Sequence, residues 1–278
     1  MSIEIRPVGV AINVLDHGIV SLEDHMGSDA FIARAARTSY GKGLEIKTAD
    51  DDRRLIRRLV RDKHTSPLEM GVVVFYLKLP IFVMRQLVRH RMASLNEFSA
   101  RYKELPDVFH IPDTFRKQAT KNKQGSDGVF TPEHNEELKT AVEGFYAVSM
   151  EMYHYLLDEG VAKEQAREVI PVDIYTECYW KQDIHNFFHL CKLRLDPHAQ
   201  LEIRVYAQAM YDLAKPYFPE TAQAFEDYIL NARSVSALDV KLMRDLVLGG
   251  ASTDPKVYGM SQNEFDDFHA WWVKSMVR

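Results

Sequence analysis

The stretch VVVFYLKLPIFVMRQLVRHRMASLNEFSARY, residues 72–102, carries the clearest structural signals in the chain. Val72–Leu79 is rich in β-branched and aromatic residues, which favour a strand, and Pro80 is expected to end it. A helix is predicted to follow, from about Phe82 to about Met92. This region therefore predicts a strand that leads directly into a helix.

Helical patterns dominate the sequence on either side of this stretch. Ser28 is expected to cap a helix to about Arg37, and a second helix should follow Asp50–Asp52, with arginines on its solvated face. Thr131-Pro132 predicts the start of a long helix to about Glu159. Further helices are predicted at 163–170, 184–192, 198–214, 236–247 and 262–276, and residues 1–25 have a strand-like pattern. The expected fold class is α+β: a helix-rich single domain with a small, mainly antiparallel sheet.

Composition excludes several classes of protein. The 278 residues carry a net charge of −5, so a general polynucleotide-binding role is not expected. The longest apolar stretch, Met70–Met84, is broken by Lys78 and Pro80 and is not expected to span a membrane. The beginning of the sequence lacks a signal-peptide pattern. The two cysteines form no disulfide framework, which favours a reducing cytoplasm.

The segment from Arg85 to Tyr102 has an unusual concentration of positive charge. Four arginines and a histidine fall within it, although the chain is anionic overall. On the predicted helix Arg85 and Arg89 share one face, so a bound anion is expected to offset their repulsion. A basic surface patch is the alternative. Ser94-Leu95-Asn96-Glu97 also fits a helix capping box, which would give Ser94 and Glu97 structural roles.

The sequence RHRMASLNEFSARY, residues 89–102, resembles the RHR-x(7)-S motif of the flavin-dependent thymidylate synthases. Similarity to the same family extends to HTSPLE at 64–69, AREVIP at 166–171, YW at 179–180 and LRLDPHAQLEI at 193–203. The resemblance covers roughly residues 15–230. Residues 1–230 are therefore expected to form the catalytic domain, and residues 231–278 a C-terminal helical extension.

The resemblance implies a reaction in which dUMP becomes dTMP by reductive methylation. It implies bound FAD, NADPH as reductant and 5,10-methylenetetrahydrofolate as carbon donor. It also implies a homotetramer with shared active sites, with neither a polynucleotide nor a membrane as partner. No protein thiol is needed as nucleophile, so Cys178 and Cys191 are expected to be small core residues.

The resemblance also assigns residues to dUMP. The implied contacts are Gln86, Arg89, Glu97, Ser99, Ala100, Arg101, Arg167 and Arg194. Arg194 is the implied catalytic residue, a fixed cation that polarises the uracil ring. Ala100 replaces a glycine common in the family, so a backbone contact at this position requires negative φ. Ion pairs of Arg194 with Asp196 and of Arg167 with Glu164 are the structural alternatives.

A second set of residues is implied to bind FAD. The set is His64, Ser66, Glu69, Arg89, His90, Arg91, Glu97, Asp183, His185 and His189. Ser66-Pro67-Leu68-Glu69 also fits a capping box with proline in the first turn. His185 and His189, four apart on one helix, could instead bind zinc, with His198 as a third ligand.

Two rival functions follow from these alternatives. A zinc hydrolase built on the histidine pair predicts stoichiometric metal. A non-catalytic anion- or RNA-binding module built on the arginine segment predicts salt-dependent binding without flavin. If either of these functions were correct, the similarity of residues 64–101 and 166–203 to the flavin-dependent thymidylate synthases would be a coincidence.

Overall fold

The computed structural model describes residues 3–6, 9–120 and 125–276. The chain forms two compact units, residues 1–230 and residues 231–278, and each has a hydrophobic core of its own. The larger unit combines helices with a small antiparallel sheet. The predicted α+β, helix-rich fold class is thus confirmed.

A sheet organises the larger unit and contains six strands among the described residues, in the order β1-β2-β3-β4-β8-β5. The neighbouring strands are antiparallel. A short separate hairpin pairs β6 with β7. The strands are β1 Ile3–Arg6, β2 Gly9–Val14, β3 Gly18–Met26, β4 Val72–Pro80, β5 Ser94–Glu97, β6 Arg116–Gln118, β7 Ser126–Val129 and β8 Tyr175–Asp183.

The pair formed by β4 and β8 determines where the site lies. Strand β4 confirms the prediction for Val72–Leu79, and it pairs with β8 along its whole length, from Val72 opposite Asp183 to Pro80 opposite Tyr175. Strand β8 was not predicted, because its buried face mixes polar with apolar residues: Thr176, Cys178, Trp180 and Gln182. Its period-two alternation of burial is that of a strand with one buried face.

Most predicted helices are confirmed within three residues at their ends, but the helix that follows β4 ends five residues early, and the α-helix predicted at 163–170 ends at Ala166 and continues as a 3₁₀ turn over Arg167–Val169. The helices are α1 Asp29–Arg37, α2 Ala49–Arg61, α3 Ile81–Leu87, α4 Pro132–Asp158, α5 Lys163–Ala166, α6 Ile184–Arg194, α7 Leu201–Ala214, α8 Pro219–Phe225, α9 Ala237–Val247 and α10 Gln262–Met276. Ser28 and Thr131 cap α1 and α4 as predicted, by accepting a backbone hydrogen bond in the first turn. Helix α8 was not predicted.

Three local predictions in the motif regions are wrong. Helix α3 ends at Leu87 rather than near Met92, because the His90 N–H donates to the Leu87 carbonyl and closes a turn. Arg85 and Arg89 therefore do not share a helix face. Ser94–Glu97 is edge strand β5 and not a capping box, since it pairs with β8.

The second proposed capping box, at Ser66–Glu69, is also absent. A 3₁₀ turn at Leu68–Met70 follows Pro67 there, and no side chain caps it. Neither Ser66 nor Glu69 makes a side-chain hydrogen bond to a described residue. A capping role therefore does not explain why Ser66 and Glu69 occupy these positions.

The arginines of α2 behave as the solvated face that the sequence predicted. The buried stripe of this helix is formed by Ile56, Leu59 and Val60. Arginines on its outer side pair with carboxylates, for example Arg54 with Asp51. Positive charge on this helix is thus neutralised by the protein itself.

Candidate active site

A cleft of about 680 Å³ lies where the turn after α3 faces helix α6. Its lining combines the RHR motif with residues of β8 and α6: Arg89, His90, Arg91, Met92, Gln182, Asn186, His189, Leu193 and Arg194. None of these described lining residues is acidic. The early end of α3 creates this arrangement, because it turns Arg89, His90 and Arg91 away from the helix and toward α6.

Arg194 is held in a fixed position at the end of α6. Its Nε donates to Nε2 of His90 at 3.0 Å, and its Nη2 donates to the backbone carbonyl of Gln86 at 3.2 Å. Its Nη1 makes no hydrogen bond to a described residue. The structural alternative, a pairing of Arg194 with Asp196, does not occur, since Asp196 bonds His198 instead. Arg194 can therefore direct one end of its guanidinium toward a ligand.

The state of His90 follows from this geometry. A guanidinium only donates hydrogen bonds, so Nε2 of His90 must be unprotonated to accept one. His90 is buried, and that burial, with the positive charge of Arg194 and nearby His189, lowers its pKa to about 4. The ring of His189 lies 6.1 Å away, centroid to centroid. His90 is thus neutral near pH 7, with its proton on Nδ1.

Positive charge in the cleft is not compensated by the described part of the protein. Arg89, Arg91 and Arg194 form no ion pair with a described carboxylate. Burial, and then the like charge of Arg89, lower the pKa of Arg194. The contrast with the paired arginines of α2 indicates an anionic ligand here.

A smaller cavity of about 330 Å³ continues from the cleft along the start of β4. Arg91, Met92 and Gln182 line both cavities. Asp183 lies at the smaller cavity, and its carboxylate caps α6 by accepting from the backbone N–H and side-chain amide of Asn186. The structure therefore gives Asp183 a helix-capping role at this position.

The remaining residues assigned to FAD are distributed around these two cavities. His185 lies on α6, one turn before His189. His64, Ser66 and Glu69 lie on the exposed segment that precedes β4, and its 3₁₀ turn packs against α6. None of these three lines either cavity. The structure thus brings together Arg89, His90, Arg91 and His189, with Asp183 beside them.

The residues assigned to dUMP form two separate groups. Arg89 and Arg194 line the cleft, and the backbone carbonyl of Gln86 binds Arg194 there. Ser99, Ala100, Arg101 and Arg167 line neither cavity. Arg101 pairs with Glu164 at 3.0 Å, and Arg167 Nε donates to the Glu164 carbonyl at 3.3 Å. The structural alternative for Arg167, an ion pair with the Glu164 carboxylate, is thus not observed.

Two further residues near the second group have defined surroundings. Glu97 accepts a hydrogen bond from Thr176 at 2.9 Å. Ala100 is not among the described residues with positive φ, so the replacement of glycine introduces no backbone strain. A backbone contact from Ala100 is therefore sterically allowed.

Neither cysteine is suited to nucleophilic attack. Cys178 and Cys191 are buried. Burial, together with the charge of Glu97, raises the pKa of Cys178 to about 12, and burial raises the pKa of Cys191 well above its usual value. Among the described residues, no group of three His, Cys, Asp or Glu side chains could hold a metal ion. The zinc alternative therefore lacks its third ligand.

Sequence reasoning missed Gln182 and Asn186, which complete the cleft. The side chain of Gln182 is fixed by Trp180, which donates to its carbonyl, while its amide donates to the Met92 carbonyl. The alternating pattern of β8 could have shown that Gln182 faces inward.

Comparison with known proteins identifies the family. A family model described as thymidylate synthase complementing protein matches residues 21–220. A flavin-dependent thymidylate synthase of Thermus thermophilus is 47% identical over 249 residues, which cover 90% of this chain and 88% of that protein. The chain belongs to the flavin-dependent thymidylate synthase family.

Other members of the family support this assignment. The flavin-dependent thymidylate synthase of Wolbachia pipientis wMel is 43% identical, and the match covers 85% of this chain and 83% of that one. Among solved structures, a UMP/dUMP methylase, PolB, from Streptomyces cacaoi bound with 5-Br dUMP matches with a TM-score of 0.71 and 33% identity. That match covers 79% of this chain and 99% of the methylase chain. No helix in the described ranges is long and apolar enough to cross a membrane.

Proposed function

We propose that this chain converts dUMP to dTMP by reductive methylation, with FAD as cofactor, NADPH as reductant and 5,10-methylenetetrahydrofolate as carbon donor. The observation that carries the proposal is the cleft beside α6, where three arginines lack a carboxylate partner among the described residues. A family member with such a cleft is suited to bind anionic nucleotides. FAD, when bound, would carry hydride between NADPH and the pyrimidine.

Arg194 is the catalytic residue in this proposal. His90 and the Gln86 carbonyl hold its guanidinium, so little reorganisation is needed when substrate binds. Placed at the N3 and oxygen edge of uracil, the fixed positive charge would stabilise negative charge that develops on the ring. The neutral state of His90 is required for this, since a protonated imidazole could not accept from Arg194.

FAD binding is proposed for the cleft and the surfaces next to it. Arg89 and Arg91 would contact phosphate oxygens, and His90 and His189 offer ring nitrogens to polar atoms of the cofactor. His64, Ser66 and Glu69 carry exposed side chains beside α6 and would bind from the other side. Asp183 and His185, at the start of α6, are also proposed to belong to the FAD site. Asp183 would contribute indirectly, because its carboxylate caps the helix. Glu97 is proposed to contact both FAD and dUMP.

The separation of the dUMP residues supports a homotetramer with shared sites. Arg89 and Arg194 line the cleft and Gln86 adjoins it through its backbone carbonyl, while Ser99, Ala100, Arg101 and Arg167 belong to a second group on the same chain. A site formed between two subunits, with one group from each, would bring all the residues assigned to dUMP together. Arg101 would then exchange its partner Glu164 for the nucleotide.

We further propose that residues 1–230 hold the complete catalytic domain and that residues 231–278 are a helical extension. The proposed partners are dUMP, NADPH and the folate, with neither a polynucleotide nor a membrane. A cytoplasmic location is proposed because this is where these metabolites meet. No thiol takes part in the reaction, because both cysteines are buried and protonated.

An absorption spectrum with added FAD tests the proposal most simply. The purified protein should bind FAD, and dUMP should shift the flavin spectrum because both ligands occupy one site. NADPH oxidation should then depend on dUMP. The proposal would be contradicted if the protein bound no flavin, or if its flavin spectrum did not change when dUMP was added.

A further inference from the structure

Among the described residues, two side chains from other elements hydrogen-bond the turn at residues 89–92, which carries the RHR motif. Arg194 of α6 donates to the ring of His90 at 3.0 Å. Gln182 of β8 donates through its Nε2 to the backbone carbonyl of Met92 at 3.3 Å. The first bond holds the middle of the turn, and the second holds its C-terminal end.

The two partners at the C-terminal end differ in burial. Gln182 is only 2% exposed and lies on the inner face of β8, whereas Met92 is 68% exposed. Arg91, the residue before Met92, is also exposed. Little apolar packing therefore holds this end of the turn, and its position depends on the hydrogen bond from the buried Gln182.

Trp180 fixes the orientation of the Gln182 amide. An indole N–H can only donate, and Nε1 of Trp180 donates to Oε1 of Gln182 at 3.0 Å. The amide therefore presents its NH₂ group to the Met92 carbonyl. The reverse orientation would place the NH₂ group against the indole N–H and the amide oxygen against the carbonyl, and both contacts would lose their hydrogen bonds.

The hydrogen bond lies where the two cavities beside α6 meet. Gln182, Arg91 and Met92 line both of them. A displacement of Met92 would therefore move Arg91, which is proposed to contact a phosphate of FAD. Because Arg91 forms no ion pair with a described carboxylate, the backbone of the turn determines where its charge lies.

We propose that Gln182 is a positioning residue for the cofactor. Its amide holds the Met92 carbonyl beside β8 and thereby keeps Arg91 at the junction of the two cavities. FAD does not need to contact Gln182 for this. The inference rests on the proposed function only in the identity of the ligand, since the position of the turn can be measured without FAD.

Limited proteolysis of the full-length protein without cofactor measures the position of the turn. Trypsin cleaves after arginine, so opening of the turn exposes the bond between Arg91 and Met92, and the cleavage rate follows the population of the open form. Gln182→Met keeps the size of the side chain but removes the donor. The initial rate of cleavage at Arg91, followed by mass spectrometry, should rise about tenfold, because one hydrogen bond is lost.

A second variant and a matched control accompany this measurement. Gln182→Asn keeps the amide but is one methylene shorter, so it cannot bridge both partners and should also raise the cleavage rate. The control is Asn135, a 5% exposed amide that accepts from the Phe115 N–H, donates to the Asp113 carbonyl and lines neither cavity. Asn135→Leu should lower the melting temperature but leave cleavage at Arg91 unchanged.

Titration with FAD connects the turn to the cofactor. Both Gln182 variants should bind FAD about tenfold more weakly than the wild-type protein, because Arg91 is no longer held in place. Asn135→Leu should bind FAD as tightly as the wild-type protein does. Melting temperatures identify the range in which every variant is folded.

Two results would overturn the inference. One is cleavage at Arg91 at the wild-type rate in folded Gln182→Met and Gln182→Asn. The other is faster cleavage with unchanged FAD affinity, because the position of the turn would then not matter for the cofactor. Failure of the proposed function would look different: the wild-type protein would bind no FAD, while the Gln182 variants would still be cleaved faster at Arg91.

Discussion

His90 illustrates how one residue connects the stability of the fold to the site. The burial that lowers its pKa to about 4 in the folded protein is absent in the unfolded chain, where the pKa is near 6.5. Between these values the unfolded state binds more protons, so stability falls as pH falls. The shift corresponds to at most about 3 kcal/mol.

The variant His90→Gln should remove much of this dependence. Its amide oxygen can still accept from Arg194, but it does not titrate. Urea unfolding at pH 6.5, 5.5 and 4.5 should show a steeper loss of unfolding free energy for the wild-type protein than for the variant. Parallel curves for the two proteins over this range would show that His90 is not held neutral.

The two cysteines provide a second prediction at this scale. The double variant Cys178→Ala and Cys191→Ala should retain turnover, because both thiols are buried and their pKa values are raised. Loss of the two small core side chains should cost about 1–2 kcal/mol of stability. Activity is compared at a temperature where both proteins are folded. Complete loss of turnover with retained FAD binding would contradict a thiol-free mechanism.

At the scale of elements, helix α6 and strand β8 carry the site. Two substitutions of Asp183 distinguish its role as the N-cap of α6 from an effect of its charge on FAD binding. Asp183→Asn keeps a carbonyl that can accept from the Asn186 N–H, so stability should change by only a few tenths of a kcal/mol. Asp183→Ala loses the cap and should cost about 1 kcal/mol and weaken FAD binding.

Thermal unfolding and flavin titration check this pair of variants. If Asp183→Ala matched the wild-type protein in both, capping by Asp183 would not position the site. If Asp183→Asn lost FAD binding while remaining stable, the carboxylate would contact the cofactor directly.

Sequence predicted the elements that are defined by local signals. Capping residues at Ser28 and Thr131 and the β-branched run at Val72–Leu79 are of this kind. The end of α3 could not be read from the sequence, because the chain leaves the helix to pair β5 with β8, a contact distant in sequence. Strand β8 itself was missed because Thr176 and Gln182 occupy its buried face.

The residues of the site could also be predicted only in part, because motifs indicate some of them and long-range contacts determine how they are arranged. Motif similarity assigned Arg89, His90 and Arg194, and the structure brings these together. The hydrogen bond from Arg194 to His90 joins residues 104 positions apart, and no local pattern indicates it.

At the scale of the whole molecule, shared active sites make a distinctive prediction. Arg194→Ala should inactivate one half of each site and Arg101→Ala the other half. Co-expressed, the two variants should assemble mixed tetramers in which about one quarter of the sites have both halves intact. Turnover should therefore return to about one quarter of the wild-type value.

A control pairs Arg194→Ala with the double variant Arg194→Ala and Arg101→Ala, which leaves no intact site in any mixture. It should remain inactive. If the test mixture also remained inactive while native mass spectrometry, with the two variants carrying tags of different mass, showed mixed tetramers, both halves of the site would come from one chain.

Product formation is the measurement that decides whether the protein carries out the proposed reaction. FAD-loaded protein is supplied with dUMP, NADPH and 5,10-methylenetetrahydrofolate, and dTMP is measured by chromatography. We expect dTMP formation that requires all three, and a loss of about 100-fold or more in Arg194→Lys, whose single ammonium cannot reproduce the held guanidinium. Absence of dTMP from the wild-type reaction with flavin bound, or an undiminished rate in Arg194→Lys, would contradict this expectation.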